Sequence, residues 1–111
     1  MTVQNVIDKV RLLLGDTVTT YHWSDATLIS KLNDAMEELW RRQSSAFHLT
    51  TVIYTKPADV SAVVDTVPVR DDHRQELVYF MCYLCLVEDQ DDQVNINLSL
   101  KYYDLFEKGL S

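Results

Sequence analysis

Glycine, proline and cysteine occur only twice each in 111 residues. Gly15 and Gly109 each follow a run of helical apolar spacing, where a left-handed helix stop is wanted. No glycine is then left for a phosphate-cradling loop. Two cysteines without a visible secretory signal suggest a reducing compartment and free thiols. Positive charge is also scarce, with 10 Lys and Arg against 17 Asp and Glu and a net charge of −7. The imbalance is local: residues 1–70 hold 8 acids and 7 bases, whereas residues 71–111 hold 9 acids and 3 bases. A chain with no basic stripe cannot neutralise a phosphate backbone, which argues against tight nucleic-acid binding and for weak repulsion. The longest apolar run, Leu77–Val87, falls short of the ~20 residues that cross a bilayer. Asp8 interrupts the N-terminal segment and no apolar signal core is visible, so neither a signal peptide nor a membrane partner is expected.

What is present fits one soluble domain over residues 1–111, with 47% hydrophobic and 24% charged residues. Val3, Val6, Ile7, Val10, Leu13 and Leu14 follow helical spacing and predict a first helix over 3–14, capped by Thr2. A second helix is predicted over Asp25–Gln43, burying Leu28, Leu32, Ala35, Met36 and Leu39. Its start, "WSD", reads well locally. Ser24 is a good N-cap, Asp25 suits the positive end of the helix dipole, and Trp23 can staple onto Leu28. Arg41 and Arg42 suit the opposite end, with an inter-subunit salt bridge as the sharper alternative.

Residues 46–67 are rich in β-branched side chains and place Phe47, Leu49 and Ile53 on alternate positions. They predict a β-hairpin of Phe47–Thr55 with Ser61–Val67, turning at Lys56–Asp59 and closed by Pro68, or else an extended arm. A third helix is predicted from Asp71 or Asp72 to Glu88, with Asp72 and Gln75 as a capping box. A fourth is predicted over 92–108, capped by Asp91 or Asp92. Its main face is Ile96, Leu100, Tyr103, Phe106 and Leu110, and a second face carries Leu98, Tyr102 and Leu105. The fold class is thus mainly α: a four-helix bundle with a hairpin or arm inserted between its two N-terminal and two C-terminal helices.

The third helix is apolar all the way round over Leu77–Val87, and the fourth has two apolar faces. A helix hydrophobic on every side must be covered on every side, and one small chain has limited material for this. Self-association is therefore expected, against the alternative of a compact monomer with the third helix as its core.

Enzyme chemistry finds little footing. Cys82 and Cys85 form a C-x-x-C, but they lie mid-helix in an apolar run, where burial raises a thiol pKa. Redox pairs sit instead at helix starts. A zinc site needs about four ligands, and no second Cys pair or His spacing supplies them. "EDQDD" at 88–92 lacks the alternation and central glycine of a calcium loop. No nucleophile motif surrounds any Ser, His or Asp. No catalytic residue, cofactor or metal is assigned.

The order of "VIDKVRLLLGD", "WSDATLISKLNDAMEELWR", "VPV", "QELVYFMCYLCLVEDQDD" and "NLSLKYYDLFEKGL" resembles the head–tail connector (adaptor) proteins of tailed bacteriophages. The resemblance spans nearly the whole chain. It implies a structural neck protein of the virion, present in the host cytoplasm during assembly. Such proteins form a ring of about a dozen copies, closed by heterologous contacts. The ring lies between the portal protein and the next neck or tail component and extends the channel through which DNA passes without specific binding. Some connectors lace into the portal with a long C-terminal tail. Here the sequence reaches Ser111 just past the fourth helix, so the expected portal contact is the end of that helix or the 46–67 arm. The resemblance implies that Trp23 and Asp25 anchor the corner between the first two helices. Trp40, Tyr79, Tyr83, Tyr102 and Phe106 are candidates for core or subunit contacts, with Arg41 and Arg42 at the interface. The rival readings are a small acidic helical regulator that binds proteins as a monomer or dimer, and a thiol enzyme using Cys82 and Cys85.

Overall fold

The computed structural model describes residues 1–16, 23–43, 46–47, 58–88 and 93–110. Four α-helices dominate: α1 (Val3–Leu14), α2 (Asp25–Arg42), α3 (Arg74–Glu88) and α4 (Gln93–Gly109). The fold is mainly helical, as expected. α1 begins in a reciprocal capping box, with Asn5 N–H donating to Thr2 Oγ1 and Thr2 N–H to Asn5 Oδ1. It ends at Gly15, whose φ of 72° is the left-handed conformation that a Cβ disfavours. Ser24 caps α2 by accepting from Thr27 N–H. The helix ends at Arg42 with Gln43 as its C-cap, one residue short of the predicted span.

α3 begins differently from expectation. A 3₁₀ turn over Asp71–His73 leads into it, and no side chain caps the turn. Asp72 faces Arg70 at 3.6 Å instead of forming a box with Gln75. The predicted caps of α4, Asp91 and Asp92, lie outside the described residues.

The hairpin is not formed as predicted. Among the described residues there is no strand, only isolated bridges between Thr2 and Thr66 and between Phe47 and Val69. Most of the predicted first strand lies outside the described residues. The predicted second strand, 61–67, is a turn organised by Asp65. Its carboxylate accepts from Ser61 N–H at 2.9 Å and Ala62 N–H at 3.0 Å. Val60, Val67 and Val69 enter the core as separate plugs from this loop. Their β-branched character thus serves burial without a ladder.

α3 packs against α4, α1 and α2, with its most extensive contact on α4. Leu77, Val78, Phe80, Met81, Cys82, Cys85 and Leu86 are buried, and Tyr79, Tyr83, Leu84 and Val87 are partly buried. One chain therefore covers most of the apolar circumference of α3. The exposed large apolar side chains lie elsewhere, at Leu12, Leu13, Val64 and Leu100.

Two of these correct expected faces. Leu13 is exposed while Arg11 takes a place in the buried face of α1. On α4 the buried positions among those described are Ser99, Tyr102 and Phe106, and Leu100 is 61% exposed. With two apolar stripes on one helix, the partner surface on α3 decides which turns inward. Gly109 is also not a left-handed stop, because Gly15 alone among the described glycines has positive φ. A Cβ on Gly109 would stand 2.6 Å from Glu76 Oε1 and 2.8 Å from its Cγ. A side chain there would therefore have to displace that of Glu76 for the last turn of α4 to lie against α3. No helix among the described residues is long and apolar enough to cross a membrane.

Candidate functional site

The corner between α1 and α2 is built on a residue that sequence reasoning passed over. Arg11 ends the buried face of α1, with its side chain 7% exposed. Its Nη1 pairs with Asp25 Oδ1 at 2.8 Å, and its Nη2 donates to the Trp23 carbonyl at 2.9 Å. Asp16, nearly buried, lies 3.9 Å from Arg11 Nε and accepts from Trp23 N–H at 3.2 Å. A buried guanidinium is costly unless its charge is compensated, and here two carboxylates face it while Nη2 donates to a carbonyl. Trp23 and Asp25 do lie at the corner. Trp23 joins it through its backbone, with its ring packed at the edge of the core. The signal was present in sequence: position 11 continues the stripe of Val3, Ile7 and Val10, and an acid follows the helix stop at Gly15.

Asn33 forms a second junction. Its amide donates to Val60 O and accepts from Val60 N–H, each at 3.0 Å, so one side chain pairs with a backbone unit as a neighbouring strand would. This fastens the 58–67 loop to α2. The loop in turn holds the start of α1, because Val3 N–H and Gln4 N–H donate to Asp65 O and Val63 O.

The aromatic candidates gather on α3 and α4. Tyr79 stacks on Tyr102 with centroids 6.0 Å apart, and Tyr102 is buried. Phe80 meets Phe106 at 4.7 Å, while Tyr83 meets Tyr103 at 4.9 Å. Phe106 is fully buried and is a core residue. Burial pushes the Tyr102 hydroxyl above its ordinary pKa. Trp40 sits apart from this wall, edge-on to Phe47 at 5.3 Å.

Arg42 closes the wall from α2. It pairs with Glu38 at 2.7 Å and with Glu107, donates from Nη2 to the Tyr103 hydroxyl oxygen at 3.0 Å, and lies over the Phe106 ring at 5.6 Å. These carboxylates hold its guanidinium even more firmly protonated than usual, Glu38 most of all. The Tyr103 hydroxyl is raised mainly by its hydrogen bond to Glu107. Arg42 is thus engaged within its own chain. Arg41, its exposed neighbour, reaches Glu38 at 3.4 Å.

The thiols of Cys82 and Cys85 are both free and buried. Desolvation pushes Cys82 up to about 12, so it is a neutral core group at physiological pH. No group of three or more His, Cys, Asp or Glu that could hold a metal occurs among the described residues. His22 and His48 lie outside them. His73 Nδ1 and Glu76 Oε2 are buried without a hydrogen-bond partner.

One open groove, about 280 Å³ in volume, runs along the outer face of α1 and is lined by Asn5, Asp8, Lys9, Leu12 and Arg74. The arrangement as a whole offers a charged corner, an aromatic wall and an open groove. Comparison with models of known families, with curated proteins and with solved structures finds no match.

Proposed function

We propose that this chain is a structural subunit of a phage neck, forming a ring between the portal and the next neck or tail component. The observation that carries the reading is the ordered "WSD…LNDAMEELWR" segment, together with the work its residues do here. Its "WSD" start is locked against α1 through Arg11, and the Asn33 of "LND" clamps the following loop. A ring subunit needs such stiffness, because angular play at each contact would prevent closure. Leu12, Leu13, Val64 and Leu100 supply apolar surface for neighbours. The four helices are read as a bundle centred on α3. The net charge of −7 suits a channel wall along which DNA slides without adhering.

The test is electron microscopy of the purified chain, alone and mixed with a portal ring from the same genome. The reading requires an added ring of density coaxial with the portal. A chain that never binds the portal overturns it.

A second reading is favoured by the coverage of α3 within one chain, which makes a stable monomer physically reasonable. Here the protein is a small acidic regulator whose apolar residues meet another protein. It predicts a monomer or dimer in sedimentation and no association with the portal.

A further inference from the structure

Cations are few in this protein, and most of the described ones are engaged internally. Arg11, Arg41, Arg42, Arg70 and Lys108 all sit in ion pairs within the chain. Among the described residues, the side chains of Lys9 and Arg74 make no ion pair or hydrogen bond, and both line the groove on the outer face of α1. Beside them Leu12 is 64% exposed, while Asp8 is occupied by the Gln4 amide at 2.7 Å. α2 presents the converse surface. Its outward positions Asp34 and Glu37 lie one turn apart and exposed, opposite the buried Leu32, Ala35 and Leu39. Neither carboxylate has an ion pair among the described residues, since Glu38 is the acid that takes Arg41 and Arg42.

We infer that the α1 groove of one copy receives the outer face of α2 of the next, with Lys9 and Arg74 against Asp34 and Glu37 around Leu12. The inference rests on the proposed ring and names its subunit contact. The two patches are different surfaces of the same chain, so the contact is heterologous and can repeat from copy to copy. Opposed charge in a strongly acidic protein sets which faces meet and in what register, while the exposed leucine adds apolar area at the centre. Two copies meeting through their α2 faces would instead oppose like charges.

Charge reversal on the full-length chain tests the pairing. K9E/R74E makes both faces acidic, and D34K/E37K makes both basic. Sedimentation velocity across a concentration series should show each double variant associating at least tenfold more weakly than wild type. An equimolar mixture of the two should recover association, because every contact in an alternating arrangement is again complementary. Wild-type association should weaken as salt rises. Unchanged far-ultraviolet circular dichroism establishes that the variants fold. Double variants that associate like wild type, or a mixture that does not recover, overturn this pairing and leave the ring to be decided on the portal. A wild-type chain that stays monomeric at every concentration and salt also overturns it. Failure to bind the portal, by contrast, removes the ring reading itself.

Discussion

Arg11, in the last turn of one helix, forms an ion pair of 2.8 Å with Asp25, the first residue of the next. The pair joins two helix ends that periodicity alone would leave unconnected. Its two sides are unequal, because Asp25 is 53% exposed whereas Arg11 is nearly buried. Arg11→Met should therefore cost about 2–4 kcal/mol, since it removes the cation beside the nearly buried Asp16 and the donor to the Trp23 carbonyl. Asp25→Asn should cost ~1 kcal/mol or less, because solvent screens that partner. Urea unfolding of both variants checks the order, and equal losses would contradict it.

Gly109 and Glu76 give a prediction whose sign depends on the neighbour. Alanine normally favours a helix over glycine by about 0.8–1 kcal/mol in the interior and less near an end. Here the added methyl meets the Glu76 side chain at 2.6 Å. Gly109→Ala alone should be neutral or destabilising. In a Glu76→Ala background the same change should raise stability by about 0.5 kcal/mol. A double-mutant cycle by thermal melting reads the difference, and an additive cycle would show that the contact is unimportant.

Cys82 and Cys85 should resist modification in the folded protein. Cys82, held up near 12, is almost wholly protonated at pH 8, the thiolate is the species that reacts, and both thiols are buried. Labelling with an aromatic disulfide reagent should be slow in buffer and stoichiometric in denaturant. Rapid labelling of both thiols without denaturant would restore the redox reading.

Asp65 makes the 58–67 loop sensitive to acid. Hydrogen bonds from Ser61 N–H and then Ala62 N–H hold its carboxyl below the ordinary 3.8. Because the folded form binds the proton less readily than the unfolded form, this stabilisation is fully present above about pH 4. It is lost as pH falls below 3.8 through the depressed folded value. The wild type should therefore exceed Asp65→Asn in melting temperature at pH 6, with the gap narrowing toward pH 2. A gap that widens in acid would contradict the assignment.

The helices were legible because their apolar spacing is clean, and α1 and α2 fall within a residue of expectation. What failed was any choice that depends on a neighbour. Ser99 rather than Leu100 turns inward because α4 carries two stripes and α3 selects one. Gly109 read as a helix stop because its contact with Glu76 is invisible in one dimension. The valines near residue 60 read as a strand because β-branched residues suit strands, although they fill a core equally well. At the candidate site, Trp23 and Asp25 were visible as a helix start. Arg11 was missed because a lone cation in an apolar stripe reads as an interruption rather than as a hub.

Phe47 is bridged to Val69, and Val60 is gripped by Asn33, so the chain is fastened on both sides of residues 48–57. The chain is thus tied at residue 47 to the segment that precedes α3 and at residue 60 to α2, so helices far apart in sequence share their anchor points.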